Sequence, residues 1–107
     1  MLMTTTALVE GRRVDRYLGI VAADVVMGTN LVSDFFASVR DVVGGRATSY
    51  EKILGDAKTT VLAELAAKAQ ALGADAVIGV DVDYEIIGGD RKTMLQVSAT
   101  GTAVKLG

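Results

Sequence analysis

Three acids recur at two-residue spacing, Asp81, Asp83 and Glu85. On an extended strand they share one face, about 6.8 Å apart along the chain at a rise of ~3.4 Å per residue. Carboxylate oxygens at that spacing suit a hard cation such as Ca²⁺ or Mg²⁺, provided loops or neighbouring subunits complete the shell. The same spacing also describes the wet face of a half-buried strand, where acids ordinarily sit. A second group, Asn30, Asp34, Arg46 and Tyr50, falls at the ends of two helices around Gly44-Gly45. There Arg46 offers a planar fork for a carboxylate or phosphate, and free N–H groups at a helix start suit an anion. The plainer reading pairs Asp34 with Arg46, caps with Asn30 and packs Tyr50, so that all four fix the turn between the helices.

Much chemistry is excluded outright. The 107 residues include no Cys and no His, so the chain has no thiol nucleophile, disulfide, thiolate or imidazole ligand, or imidazole base. A nucleophile among Ser33, Ser38, Ser49 or Ser98 needs a Lys or carboxylate as its base, and no spacing marks one. Neither a phosphate-loop nor a dinucleotide-binding glycine signature occurs. The four methionines (Met1, Met3, Met27 and Met94) lie at a terminus or at strand ends, where packing accounts for them better than Cu(I) ligation. No catalytic residue and no cofactor is implied.

The elements that position these residues read from periodicity. Residues 3–9 form a short strand and residues 13–27 a longer one with a bulge at Gly19. Residues 30–43 switch to helical period through Leu31, Val32, Phe35, Phe36, Val39, Val42 and Val43. Thr48-Ser49-Tyr50-Glu51 matches a capping box. The helix after it carries Tyr50, Ile53, Leu54, Ala57, Val61, Leu65, Ala69 and Leu72 on one side, with Glu64 and Lys68 as an i,i+4 pair on the other. Gly73 ends that helix. Residues 76–87 alternate, setting Ala76, Ile78, Val80, Val82, Tyr84 and Ile86 against Gly79, Asp81, Asp83 and Glu85. Residues 93–106 alternate again, and Gly88-Gly89-Asp90 joins the two as a hairpin. The order predicts one α+β domain, with an antiparallel sheet carrying helices on one face.

A chain this short buries about 60–65% of its unfolded surface. Its hydrophobic half is dominated by Ala and Val, with only two Phe, three Tyr and no Trp. Both features favour self-association. A net charge of −2 without clustered basic residues argues against nucleic acid, and no apolar run nears the ~20 residues of a membrane span. The expected location is the cytoplasm.

Several blocks together resemble the YbjQ-like family. They are Leu18-Gly19-Ile20-Val21, Gly28 and Asn30 with Asp34-Phe35-Phe36, and Gly44-Gly45-Arg46 followed by Tyr50. Leu72-Gly73-Ala74-Asp75-Ala76-Val77-Ile78-Gly79 and Ser98-Ala99-Thr100-Gly101-Thr102-Ala103-Val104 complete the set. The resemblance implies a dodecin-subunit-like β-α-β-β fold across residues 1–107 and a ring of identical subunits, typically a homopentamer. It also brings the description of a heavy-metal-binding domain, which sits badly with a chain lacking the ligands that soft metals prefer. Dodecin-like flavin binding is disfavoured because no indole is present. The expectation is a non-enzymatic homo-oligomer of undetermined role, holding a small ligand or ion at its junctions. The alternatives are carboxylate-based metal handling and an intersubunit enzyme around Asp34 and Arg46.

Overall fold

A computed structural model describes residues 1–27, 48–89 and 92–107, with side chains except those of 48–50, 89, 92 and 93. Four strands form one sheet in the order β1-β3-β4-β2, where β1 is Leu2–Met3, β2 Val14–Met27, β3 Ala76–Gly89 and β4 Lys92–Leu106. The helix α1, Thr48–Ala71, lies on one face. The helix expected over residues 30–43 lies outside the described residues. Of the hairpin turn expected at Gly88-Gly89-Asp90, Asp90 lies outside them too, whereas Gly88 and Gly89 belong to β3 and pair with Thr93 and Lys92. Among the described residues no helix is long and apolar enough to cross a membrane.

The stripe that seats α1 is Ala57, Val61, Leu65 and Ala69, each essentially inaccessible. Successive members stand four residues apart, which keeps them on one helix side. They meet Val21 and Ala23 of β2, Leu95, Val97, Ala99 and Ala103 of β4, and Val77 and Val80 of β3. Small residues on both layers bring the helix close to the sheet, so the core is thin and densely packed. The helix lies mainly over β2 and β4 and only slightly over β3. Gly73 ends it as expected: its N–H donates to Gln70 O, and Ala74 N–H reaches back to Ala69 O. These two bonds close a Schellman motif.

Three sequence expectations are corrected. First, β1 is two residues long and runs parallel to β3, pairing Leu2 with Ala76 and Met3 with Val77, so the sheet is mixed. Thr4 extends the contact by donating to Val77 O and accepting from Val80 N–H. The chain then bends away, and Val9 and Arg12 form only an isolated bridge.

Second, the alternation of β3 inverts midway. The register with β4 slips between Ile78 and Asp81, and Gly79 sits there at φ +61°, a left-handed conformation that glycine adopts without strain. Val77 and Val80 therefore both face α1. Ala76 and Ile78 instead face away, buried with Val104 against Val9, Val14 and Leu106. Gly101 of β4 sits against this bulge. A Cβ there would stand 2.5 Å from Val77 Cγ1 and 3.3 Å from Ile78 O, so a glycine is needed for the strands to close. The bulge expected at Gly19 is present as a slip between Tyr17 and Gly19.

Third, Lys68 does not pair with Glu64. Its Nζ donates instead to the backbone O of Ala22 on β2, at 2.6 Å.

Candidate functional site

Beyond the bulge, the sheet face turned away from α1 is polar, and its rows follow from the register. Asp24, Ser98 and Asp83 lie side by side across β2, β4 and β3; Ala22, Thr100 and Asp81 form the next row; Val26, Gln96 and Glu85 the one after. The three acids Asp81, Asp83 and Glu85 thus share one exposed face, as their spacing predicts. Asp24 joins them from the far strand. Spacing along the chain does not single it out, because the register that brings it there depends on two bulges.

The two aspartates flanking Ser98 sit in opposite environments. Ser98 Oγ donates to Asp24 Oδ1 at 2.6 Å and Gln96 Nε2 to the same oxygen at 3.3 Å. These bonds, with the Lys68 charge, hold the Asp24 carboxyl below its ordinary range, because donors stabilise the ionised form. Asp83 is pushed up, first by a hydrogen bond shared with the Asp81 carboxyl and then by the Asp81 charge. Two carboxyls can share a hydrogen bond only when one keeps its proton.

Ser98 therefore has the carboxylate neighbour that its sequence context does not reveal. Asp24, held below its ordinary range, is thereby a weaker base toward that hydroxyl. Among the described residues no three acids come close enough to hold a metal ion.

On the other face, beside β3, an apolar cavity of about 220 Å³ is lined by Met3, Thr4, Thr5, Leu62, Val80 and Val82. It opens where β1 leaves β3. Past it, Tyr84 and Ile86 stand 47% and 55% exposed, although their partners Val97 and Leu95 are buried. The cause is the placement of α1, which covers β3 least. Met3 is thereby a wall of a cavity.

Of the second group, Asn30, Asp34 and Arg46 lie outside the described residues. Tyr50 lies in the first turn of α1, with its side chain also outside them, as are those of the capping box at Thr48 and Ser49.

The fold recurs in a crystal structure of a protein of unknown function from Pediococcus pentosaceus, assigned to a family of undetermined role, DUF74. The TM-score is 0.66 at 19% identity, covering 100% of this chain and 98% of that one. At that identity the likeness establishes the fold. The family profile of the YbjQ type, described as putative heavy-metal-binding, matches residues 1–107, so the chain belongs to that family.

Proposed function

We propose that the chain is a non-enzymatic subunit of a closed homo-oligomer, of five copies as the family resemblance implies, working in the cytoplasm. A small, largely apolar ligand is held at each junction between subunits. The observation that carries this reading is the apolar cavity at the point where β1 ends and the β3 edge continues, flanked by exposed Tyr84 and Ile86. Apolar surface left at a sheet edge is what an assembling subunit would cover. Two threonines at the cavity, Thr4 and Thr5, offer hydroxyls to orient a polar end.

The heavy-metal description does not fit the donors present. Soft and borderline ions select thiolate and imidazole, and the chain has no Cys or His. Asp81 pushes the Asp83 carboxyl above its ordinary range, and among the described residues no three acids are grouped to hold a metal ion. Calorimetry with Zn²⁺, Cd²⁺ and Cu²⁺ at neutral pH is expected to find no stoichiometric site of sub-micromolar affinity. Such a site would reinstate the metal reading.

Native mass spectrometry of untagged protein tests the main reading, with a five-subunit mass and a retained small molecule as the expected result. A monomer at micromolar concentration would overturn the assembly, and an empty oligomer would overturn the ligand.

A further inference from the structure

The cavity beside β3 has walls of unlike chemistry. Met3, Leu62, Val80 and Val82 supply apolar surface, Thr4 and Thr5 supply hydroxyls, and no charged side chain lines it. The two hydroxyls are not equivalent. Thr6 Oγ1 donates its proton to Leu8 O at 2.6 Å, so in its 2.9 Å contact with Thr4 Oγ1 the donor is Thr4. Thr4 Oγ1 also accepts Thr6 N–H, which leaves that hydroxyl nearly saturated. Thr5 Oγ1 meets no partner among the described residues. The remaining wall is backbone. Val80 N–H turns off the sheet edge to Thr4 O, and groups two residues further on turn to the same side. Val82 therefore presents both its N–H and its C=O at the edge, where no described strand meets them. At about 220 Å³ the cavity is smaller than the roughly 300–1,000 Å³ of a drug-sized site and larger than the ~150 Å³ that encloses benzene. One branched or aromatic side chain fills it.

We propose that the ligand of this site is peptide-like: one residue of an extended segment pairs with Val82 and sets an uncharged, branched or aromatic side chain in the cavity. The free donor and acceptor decide the class. A residue of an extended peptide carries its N–H and C=O on one side, and these meet Val82 C=O and N–H as an antiparallel hydrogen-bonded pair. A hydrocarbon meets neither group, and an ester leaves Val82 C=O without a donor. Strand addition of this kind takes its affinity from main-chain bonds and its selectivity from the side-chain pocket. A charged side chain is excluded, because burial strips its water and the cavity holds no counter-charge. Directly opposed residues share a face, so the two neighbours of the buried residue lie on the face of Asp81 and Asp83, both exposed. Acidic neighbours are disfavoured there and basic ones favoured. Thr5 supplies the uncommitted hydroxyl, for a carbonyl further along the segment. Residues 28–47, outside the described set, join Met27 of β2 to Thr48 of α1, and β2 is the opposite edge of the sheet. Chain connectivity therefore does not require them at Val82.

This inference rests on the cavity being a ligand site, as proposed above, and its test separates the two. The probes are acetylated tripeptide amides with a central leucine, flanked by lysines, by alanines or by glutamates. A fourth probe is the lysine-flanked form methylated on the leucine nitrogen, which removes the donor to Val82 C=O. Toluene probes the cavity alone. Amide hydrogen exchange and ¹H–¹⁵N spectra of the full chain give the readout. Val82 N–H is expected to exchange freely in the protein alone and to slow about tenfold or more when the lysine-flanked peptide saturates it. Affinity should fall from lysine to alanine to glutamate flanks. Methylation, and separately Thr5→Val at an exposed position, should each weaken binding about two- to tenfold, the net worth of one hydrogen bond. Equal binding of the methylated peptide would overturn the strand pairing, and equal binding with glutamate flanks would overturn the part given to the acids. Protection of Val82 N–H without peptide would also overturn the proposal. It would assign the edge to the chain's own residues if independent of protein concentration, and to a second copy if it grows with concentration. Toluene bound without any peptide would overturn the peptide-like class while sparing an apolar ligand, and neither bound would overturn both.

Discussion

The sheet has two ends that follow different rules. At the end holding Ala76 to Val80 of β3 and Gly101 to Leu106 of β4, apolar residues are buried on both faces, by α1 on one and by Val9, Val14 and Leu106 on the other. At the opposite end the α1 face is apolar, and the other is mostly polar, with Asp24, Asp81, Asp83, Glu85, Gln96, Ser98 and Thr100 beside Ala22 and an exposed Val26. The divide is the bulge at Gly79. A one-residue slip moves every following side chain to the other face, so the same strand supplies apolar residues to two cores and then acids to solvent. The closed end is a packing problem and the open end an electrostatic one.

The largest effect is expected where the closed end is tightest. Gly101→Ala places a methyl group 2.5 Å from Val77 Cγ1 and 3.3 Å from a backbone carbonyl. A carbonyl cannot rotate away as a side chain can, so the strand pair must spread. Overpacking of this kind costs about 1–3 kcal/mol, read from denaturant unfolding. A change within about 0.5 kcal/mol of zero, the usual range for uncoupled surface sites, would show that the bulge relaxes and that the closed end is not rigid.

Gly55→Ala probes α1 well away from the bulge and should act in the opposite direction. Gly55 lies inside α1, where an added methyl group would meet nothing within 4 Å among the described residues, and its φ is not positive. Replacement by Ala should stabilise by about 0.5–1 kcal/mol through helix propensity. A loss of stability would show that helix propensity does not govern this position.

How much of this is visible in the sequence depends on which periodicity is left intact. The strand β4 alternates without interruption, and its expected inward set of Leu95, Val97, Ala99 and Ala103 is the buried one. The helix stripe is equally legible from Ala57 to Ala69, as is the Gly73 stop, because spacing and capping are local properties; Leu72, expected on the same side, instead stands 49% exposed just past the end of α1. The β3 pattern misleads for a physical reason: Ala76, Ile78, Val80 and Val82 are all apolar, and so is Val77. Only the glycine between Ile78 and Val80 marks a slip, as an isolated glycine in a strand can. Gly19 carries the same mark among β-branched neighbours, where it reads as a bulge, whereas Gly79 fits the alternation well enough to hide one. At the open end the acids on β3 are legible as a row, but their partner Asp24 is not, since cross-strand neighbours depend on register. Likewise Lys68 has an i−4 acid in sequence, and only the tertiary fold offers it Ala22 O.

Asp75 gives a smaller, pH-dependent effect at the closed end. Its Oδ2 accepts Leu106 N–H at 2.9 Å and its Oδ1 lies 3.7 Å from Lys105 Nζ. The backbone hydrogen bond in particular holds its carboxyl below the ordinary range. A carboxyl with a lowered folded-state pKa contributes stability above its unfolded pKa, about 3.9, and loses that contribution as pH falls through the folded value. Asp75→Asn should therefore lower Tm at neutral pH, with the deficit closing in acid. A deficit independent of pH would assign the effect to shape alone.

The two aspartates beside Ser98 sharpen the contrast within the open end itself, because their signs differ. For Asp24 the folded pKa is lowered, so it stabilises at neutral pH and that support fades only below about pH 3.9. For Asp83 the folded pKa is raised. The folded state then binds its proton more readily than the unfolded chain, so stability is gained as pH falls through the folded value and is lost as pH rises through it. At neutral pH, Asp83→Asn should raise Tm by removing the repulsion with Asp81, and the gain should shrink to nothing in acid, once both forms are neutral. Asp24→Asn should lower Tm at neutral pH, its deficit persisting to lower pH than the Asp83 gain. Both sites are solvent-exposed, so the shifts should be small and weakened by added salt. If both variants move Tm in the same direction at neutral pH, the two sides of Ser98 are not electrostatically distinct.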